Sequence, residues 1–372
     1  MVKLNDKYIK TQIMRTELEL NEKILEITTE IRENYPELIR FLNDETVTIP
    51  YQEHPTITFE ILSSQYDSLQ NLLAEYKKNG ISLVRWENAL NMPYIDLAPM
   101  ELHNTYQELL TEVNQLSISY NDVGEGAIPV IFLHGFPFDK SMWKSQLDTL
   151  KSATRLIAVD LRGFGQSKDE KSILSMDLFG LDLIAFMDKL NIPKAIVCGL
   201  SMGGYIALNV VQKYPERFKG LILCDTQCNA DTVEGREKRF ATIEEINSDG
   251  PANFNEKFIE SVFHPNSFKN KADVVENLRN VVISNPKEII TAGLTALANR
   301  SETCTRLNEI QIPTLIICGN EDQLTPVEKS QAMHEQIPNS ELKIIEEAGH
   351  VSNVEQPEKF NKYVLDFINK FR

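Results

Sequence analysis

The segment around Ser201 constrains the fold of this chain more than any other part of the sequence. A short apolar run, Ala195–Cys198, predicts a buried strand, and Met202–Tyr214 predicts a helix that ends before Pro215. Between them, Gly199-Leu200-Ser201-Met202-Gly203 fits the pattern G-x-S-x-G. A serine in a sharp strand-to-helix turn exposes its hydroxyl at the end of a sheet, and the flanking glycines let strand and helix approach each other. Ser201 is therefore the candidate nucleophile.

Two later apolar runs predict strands whose carboxyl ends carry the partners that a serine nucleophile needs. Thr314–Cys318 runs into a loop that contains Asp322, and Leu342–Ile345 runs into a loop that contains His350. His350 is the candidate general base because the ordinary pKa of imidazole lies near neutral pH. Asp322 is the candidate acid that orients this imidazole. The order serine, acid, histidine along the chain is the one that accompanies this kind of turn.

The acid has two alternatives in the sequence. Glu321 is adjacent to Asp322, and Asp225 ends another apolar run, Leu221–Cys224, at the same predicted edge of the sheet. Asp322 is favoured because it follows the later strand, which is the usual place of the acid. Spacing along the chain does not by itself exclude Asp225.

A further loop supplies candidates for stabilising negative charge on a substrate oxygen. The apolar run Pro129–Leu133 predicts a strand that ends in His134-Gly135-Phe136-Pro137. The backbone N–H of Phe136, and the N–H of Met202 directly after the nucleophile, are the two expected donors of an oxyanion hole. His134 is expected to hydrogen-bond the loop backbone rather than to transfer protons.

With these motifs in place, the chain resembles the α/β-hydrolase fold family from about residue 116 to residue 372. The resemblance rests on His134–Pro137, Asp160–Ser167, Gly199–Gly204, Gly319–Asp322 and Ala348–His350. Within the family the chain is most similar to 3-oxoadipate enol-lactonases and related small-substrate carboxylesterases, on the stretches Phe136–Trp143, Leu294–Arg300 and Ser352–Pro357. The resemblance implies a mostly parallel central sheet with helices on both faces and a helical cap. It also implies ester or lactone hydrolysis without a metal or an organic cofactor.

Residues 228–311 lie between two predicted strands and predict an insertion of helices. Apolar residues recur at three- and four-residue spacing in Val274–Val282 and in Ile289–Leu297. An insertion at this place covers the strand ends, where ligands bind in open α/β sheets, so we interpret it as a cap. Arg300 either binds a substrate anion or forms a structural ion pair, and the ion pair is favoured. The candidate pocket residues are Phe136, Phe138, Trp143, Met202 and Phe263.

The first 115 residues show no catalytic constellation and resemble no family. Apolar faces at helical spacing run through Ile9–Ile31 and Phe59–Tyr76. The predicted domains are a small helical domain over 1–80, a linker over 81–115 with a helix from Pro99 to Val113, and the hydrolase domain over 116–372. The N-terminal helices are expected to pack on themselves, on the hydrolase or on a second copy. A protein partner is the less favoured alternative.

Composition excludes several classes of function. A formal net charge of −16 makes nucleic acid an unsuitable partner. The longest apolar run, Ile128–Leu133, is far too short to span a membrane, and the polar N-terminus lacks the apolar stretch of a secretory signal. Five cysteines at irregular spacing argue against a disulfide framework and indicate a reducing cytoplasm. Cys224 and Cys228 resemble half a metal site, but no further pair completes it.

These features together predict a serine hydrolase that cleaves carboxylic esters or lactones of small molecules through an acyl-enzyme on Ser201. Three alternatives stay open. A cofactor-free perhydrolase or haloperoxidase and a C–C bond hydrolase would use the same three residues. A non-catalytic binding module on the same fold is the least favoured.

Overall fold

A computed structural model of the chain describes residues 106–169 and 173–371. A single sheet runs through this part of the chain. Its strands are β1 Leu109–Val113, β2 Leu116–Val123, β3 Val130–Leu133, β4 Leu156–Val159, β5 Ala195–Leu200, β6 Phe218–Cys224, β7 Thr314–Gly319 and β8 Ser340–Ile345. Their order is β1-β2-β4-β3-β5-β6-β7-β8. β2 pairs antiparallel with β1 and β4, and the pairings from β4–β3 to β7–β8 are parallel.

Helices cover the connections between the strands. They are α1 Lys144–Leu150, α2 Met176–Lys189, α3 Met202–Lys213, α4 Val233–Asp249, α5 Ala252–Val262, α6 Ser267–Asn270, α7 Ala272–Ile283, α8 Lys287–Ala298, α9 Val327–Gln336, α10 Ser352–Glu355 and α11 Pro357–Ile368. We refer to α4–α8, which all lie between β6 and β7, as the inserted helices. No helix within the described ranges combines the length and apolarity that crossing a membrane requires.

Buried side chains form one core on each face of the sheet. Alternate residues of one strand point to opposite faces, so Ile131 and Leu133 of β3 join one core while Val130 and Phe132 join the other. The first core also takes side chains from α2, α3 and α8, and the second takes side chains from α1 and α11. The α/β arrangement expected from the sequence, a mostly parallel sheet covered on both faces, is thereby confirmed.

The predicted helix over 99–113 is wrong at its C-terminal end. Residues 109–113 form β1, which pairs with β2 from Leu109 opposite Tyr120 to Val113 opposite Leu116. Side chains along β1 alternate between partly buried and exposed positions before Val113, as on an edge strand with one covered face. The sheet therefore begins before residue 116. The helical domain predicted for residues 1–80, and the rest of the linker up to residue 105, lie outside the described residues.

The cysteines also depart from expectation at one pair. Cys228 and Cys304 form a disulfide, whereas Cys198, Cys224 and Cys318 are free and buried. The pair closes a loop with a sequence separation of 76 residues, and this loop contains all of the inserted helices. Partners so far apart in the sequence meet only because β6 and β7 are neighbours in the sheet.

Candidate active site

Ser201 lies in the turn between β5 and α3, in a backbone conformation that few residues adopt. Its φ of 51° and ψ of −112° place a non-glycine residue in a strained region. A Cβ on Gly199 would lie 2.2 Å from the carbonyl oxygen of Gly203, and one on Gly203 would lie 2.2 Å from that of Leu133. Only glycine allows these close approaches, so the strained turn depends on both glycines.

Ser201, His350 and Asp322 form one continuous chain of hydrogen bonds. His350 Nε2 lies 2.8 Å from Ser201 Oγ, and His350 Nδ1 lies 2.8 Å from Asp322 Oδ2. The imidazole is 3% exposed and the aspartate 4% exposed, whereas Ser201 is partly exposed. The structure therefore brings together three residues that are separated in the sequence by up to 149 positions.

The environment of Asp322 keeps its carboxylate charged and oriented. Its Oδ1 accepts the N–H groups of Leu324 and Thr325 at 2.8 and 2.9 Å, and its Oδ2 accepts the hydroxyl of Thr325 at 2.7 Å. Burial works against the charged form, but His350 and the Thr325 donors together lower the pKa of Asp322 below its ordinary value. Asp322 can therefore hold the Nδ1–H tautomer of His350 and leave Nε2 free to accept a proton.

His350 titrates above the ordinary range of a histidine. Burial works against the imidazolium, but the charge and hydrogen bond of Asp322, with further contributions from Asp225 and Glu355, raise the pKa of His350. A base whose pKa lies near the working pH can both accept and return a proton. The electrostatics of the site therefore suit general acid–base chemistry at Ser201.

The loop after β3 passes directly beside Ser201. A Cβ on Gly135 would lie 3.4 Å from the Cβ of Ser201, so the loop runs close to the nucleophile. Within the described ranges, the N–H groups of Phe136 and Met202 donate to no protein acceptor. Met202 opens α3, where unpaired N–H groups favour negative charge. These are the two groups that the sequence indicates as oxyanion donors.

His134 is part of the support of that loop. Its Nε2 accepts the N–H of Leu161 at 2.9 Å, so its Nδ1 carries the proton and donates to the carbonyl of Gly135 at 2.9 Å. Burial lowers the pKa of His134 and keeps its ring neutral. The imidazole of His134 is therefore hydrogen-bonded to the backbone through both of its nitrogens, to Leu161 and to Gly135.

Aromatic side chains from the inserted helices line the loop after β3, residues 134–139, which contains the candidate oxyanion donor Phe136 and which we call the oxyanion loop. The ring centroid of Phe258 lies 6.2 Å from that of Phe136 and 5.7 Å from that of Phe138, and it stacks on Phe254 at 5.8 Å. Phe254 also lies 6.3 Å from Phe136. Phe138 therefore belongs to an aromatic cluster at the oxyanion loop.

The other candidate pocket residues lie elsewhere. Trp143 is fully buried between Phe132 and Phe360 in the core under α1 and α11. Phe263 follows α5, and its backbone passes close to Gly349, next to His350, while its ring contacts Phe268. Trp143 thus contributes to the core, whereas Phe263 supports the loop of the base.

Arg300 forms a structural ion pair. Its Nη1 lies 2.6 Å from Asp231 Oδ1, its Nε donates to the carbonyl of Asn229, and its guanidinium lies over the ring of Tyr205. The side chain is 2% exposed. The structure therefore places Arg300 in the support of the inserted helices, as the favoured interpretation of the sequence has it.

A cleft of about 670 Å³ opens between α4 and α5, beside the loop that carries Asp322. Phe254, Phe258, Leu294 and Leu324 provide its apolar surface. Lys238 and Lys257 line it as well, and they form no ion pair among the described residues. Its volume is within the range of small-molecule sites. Phe258 borders this cleft and also contacts the rings of Phe136 and Phe138 in the loop after β3.

Sequence reasoning missed several residues that hold the site. Thr325 bonds Asp322 through backbone and side chain, and Glu355 accepts the N–H groups of Gly349 and His264 at 2.6 and 2.7 Å. Phe254 and Phe258 were also not among the candidates. The proximity of Thr325 to Asp322 in the chain is a usable signal, whereas the contacts of Glu355 and of the phenylalanines depend on packing.

Comparisons with known proteins agree with this geometry. Residues 128–357 match the α/β hydrolase fold family. A 3-oxoadipate enol-lactonase from Acinetobacter baylyi is 30% identical over 72% of this chain and 98% of its own length. A putative non-heme chloroperoxidase from Synechocystis is 30% identical over 68% of this chain and 95% of its own length. A thermophilic esterase from Thermogutta terrifontis superposes with a TM-score of 0.68 at 33% identity, covering 71% of this chain and 98% of that one.

The match of the family extends over more than half of the chain, and it spans every strand from β3 to β8. The relatives match almost over their full length, so the similarity is that of whole enzymes rather than of a shared fragment. The resemblance deduced from the sequence motifs is confirmed. The chain belongs to the α/β-hydrolase family and is a hydrolase of its enol-lactonase-like branch.

Proposed function

We propose that the protein hydrolyses carboxylic esters or lactones of small molecules through an acyl-enzyme on Ser201. The observation that carries the proposal is the unbroken chain from Ser201 Oγ to His350 Nε2 and from His350 Nδ1 to Asp322 Oδ2, with 2.8 Å at each step. This arrangement is the one that converts a serine hydroxyl into a nucleophile. The enol-lactonase and esterase relatives support the substrate class.

The proposed reaction has two halves. His350 Nε2 takes the proton of Ser201 as its oxygen attacks the carbonyl carbon, and the N–H groups of Phe136 and Met202 stabilise the oxyanion. The imidazolium then returns the proton to the leaving alkoxide, which departs as an alcohol or, in a lactone, stays attached to the acyl group. In the second half His350 deprotonates a water molecule, which attacks the acyl carbon and releases the acid and Ser201.

The substrate is proposed to enter through the cleft between α4 and α5. Its apolar wall ends at Phe258, which touches Phe136 of the oxyanion loop at a ring distance of 6.2 Å. An acyl or alcohol group of moderate length would lie along this wall, with its carbonyl at Ser201. The reaction as written needs no metal or organic cofactor.

Ser201→Ala tests the proposal. The variant should lose hydrolysis of 4-nitrophenyl acetate and labelling by a fluorophosphonate probe, because no nucleophile remains. Ser248→Ala is the matched control, since Ser248 is exposed on α4 and bonds only a backbone carbonyl of its own helix. The proposal fails if the Ser201 variant keeps most of the activity, or if the unaltered protein reacts with neither reagent.

The chloroperoxidase relative favours one second candidate, in which peroxide replaces water as the acceptor of the acyl group. The attack of peroxide on the acyl-enzyme would release a peracid, which oxidises bromide. Bromination of monochlorodimedone in acetate and hydrogen peroxide would reveal this activity. If the unaltered protein brominates no faster than the Ser201→Ala variant, this activity is excluded.

The cellular compartment of the protein is a separate proposal. The odd number and irregular spacing of the cysteines predict the cytoplasm, whereas the Cys228–Cys304 disulfide is typical of an oxidising compartment. Alkylation of denatured protein, taken directly from cells, distinguishes the two. Five modified thiols would support the cytoplasm, and three would support an oxidising compartment.

A further inference from the structure

Asp225 lies between the two loops that carry the acid and the base of the site. It directly follows β6 and is 0% exposed. Its Oδ1 accepts the N–H of Gly319 at 2.8 Å, at the start of the loop that carries Asp322. Its Oδ2 accepts both the N–H of Ser352, at 3.2 Å, and the hydroxyl of Ser352, at 2.6 Å. Ser352 is two residues after His350, so one carboxylate holds both loops.

We propose that Asp225 is a positioning residue for the proposed hydrolysis, because its carboxylate joins the loop of Asp322 to the loop of His350 and thereby fixes their hydrogen bond. This inference rests on the proposed function. Within the part of the chain that the structure describes, the Asp225 carboxylate bonds neither Ser201 nor the imidazole of His350, so its effect passes through the two loops.

The two loops meet at Gly319, where their backbones lie too close together to leave room for a Cβ. A Cβ on Gly319 would lie 2.1 Å from the carbonyl oxygen of Gly349 and 2.4 Å from that of Ala348. The backbones are therefore in direct contact, with one hydrogen bond from the N–H of Glu321 to the carbonyl of Ala348. The carboxylate of Asp225, which follows β6, bonds Gly319 on one side and Ser352 on the other, and so connects both loops to a third strand.

Asp225 occupies its place at an energetic cost. Its φ of 45° is unfavourable for a residue with a Cβ. Its carboxylate is buried near the charge of Asp322, and burial followed by this repulsion raises the pKa of Asp225 to about 7. Apolar packing alone would not require a strained aspartate here, which points to a role in the geometry of the site.

The electrostatic surroundings give the inference a second readout. The groups that act on the pKa of Asp225 are Asp322, His350 and the hydrogen-bond donors of Ser352 and Gly319. Those that act on the pKa of His350 are Asp322, Asp225 and Glu355. Because the charge of Asp225 contributes to raising the pKa of His350, an uncharged residue at position 225 should move the activity profile to lower pH.

Asp225→Asn in the full chain is the first test. An amide presents one acceptor and one donor, so it cannot accept from Gly319 and Ser352 together. The rate of fluorophosphonate labelling and kcat for 4-nitrophenyl acetate should fall about 10- to 100-fold, up to the loss that a misplacement of reacting groups by about 1 Å can cause. KM should stay within about twofold. The acid limb of kcat/KM should shift to lower pH.

Asp182→Asn is the matched control. Asp182 is also a buried carboxylate, but it bonds Arg162 and lies outside the site. This variant should lower the melting temperature and leave kcat and the pH profile unchanged. If Asp225→Asn behaves in the same way, the role of Asp225 is structural and the inference is overturned.

Ser352→Ala keeps the test open if Asp225→Asn does not fold. It removes only the 2.6 Å bond from the Ser352 hydroxyl to Asp225. We expect kcat to fall about threefold to tenfold, in line with the net contribution of one ordinary hydrogen bond, at unchanged KM. An unchanged kcat would overturn the inference. The proposed function fails separately, because in that case the unaltered protein itself would not be labelled by the fluorophosphonate.

Discussion

At the carboxyl edge of the sheet, the candidate catalytic residues are held by backbone geometry and buried polar bonds. Ser201 sits in a strained turn, and the carboxylate of Asp322 accepts three hydrogen bonds besides that to His350. The inserted helices α4–α8 are held differently, by rings such as Phe254 and Phe258, by the ion pair of Arg300 and by one disulfide. Hydrogen bonds restrict both the distance and the angle between two groups, whereas apolar packing tolerates substitution by side chains of similar volume. The carboxyl edge is therefore suited to holding reacting groups in one geometry. The inserted helices are suited to changes of side chain that alter which substrate is accepted.

The largest effect expected on the edge comes from Asp322→Asn. The amide would donate to His350 Nδ1 and hold the wrong tautomer, so Nε2 could no longer accept the proton of Ser201. We expect kcat for 4-nitrophenyl acetate to fall by about 10⁴-fold, with KM and the melting temperature little changed. Asp366→Asn, at an exposed aspartate paired with Lys362, is the control and should keep full activity. A loss of less than tenfold would assign the acid to another residue, with Asp225 the first to test.

The inserted helices should respond most strongly to loss of the Cys228–Cys304 disulfide. For a closed loop of this length, with a sequence separation of 76 residues, the chain-entropy estimate of the stabilisation is about 4.5 kcal/mol. The double variant Cys228→Ser/Cys304→Ser should therefore have a lower free energy of unfolding in urea. Dithiothreitol should destabilise the unaltered protein but not the double variant. If both respond equally, the disulfide is not the cause.

The same double variant sharpens the comparison between the two regions. Ser201, Asp322 and His350 all lie outside the loop that the disulfide closes. Hydrolysis of an acetate ester, with a short acyl group, should therefore persist at temperatures where the variant is folded. Selectivity between short and longer acyl groups should change, because the wall of the cleft is formed by the inserted helices. An equal loss for all esters would show that the two regions are not separable.

The pH dependence concerns the edge alone. His350 must be neutral to accept a proton, and its pKa is raised above 6.5. Activity should therefore be full at high pH and fall as the pH drops through a midpoint above 6.5, by about tenfold per unit below it. The pKa of Asp225 is raised to about 7, so the acid limb of the pH profile reports the titration of both His350 and Asp225. A plot of kcat/KM that stays flat from pH 8 to pH 5 would exclude His350 as the base.

Much of the edge could be predicted from the sequence because its signals are local. Buried parallel strands are short apolar runs, and the runs before Ser201, Asp322 and His350 correspond to β5, β7 and β8. The glycines of the turn are required by close backbone contacts, so the motif and the geometry have the same cause. The link from Asp225 to Ser352 spans 127 positions, and no local pattern announces it.

Other elements could not be predicted because their signals are ambiguous or non-local. In β1, Leu109, Leu110 and Val113 have the spacing of a helix face, and the decisive factor is pairing with β2, which no periodicity reveals. Cys228 and Cys304 meet because β6 and β7 are adjacent. The pocket residues depend on which rings from α5 reach the oxyanion loop, so Phe258 could not be distinguished from other phenylalanines.

The smallest expected effect is also the most informative about the inserted helices. Phe258→Leu removes the ring that joins the cleft to Phe136 and Phe138, while it keeps an apolar side chain at a half-buried position. We expect kcat/KM for 4-nitrophenyl acetate to change less than threefold, and that for a hexanoate ester to change about tenfold, since apolar contacts of this size discriminate by about 1–3 kcal/mol. Phe240→Leu, at an exposed ring outside the cleft lining, is the control. If both esters lose activity equally, Phe258 acts on the oxyanion loop rather than on the acyl group. The aromatic cluster would then support the geometry of the candidate catalytic residues. Contacts that select the acyl group would in that case come from α4 instead.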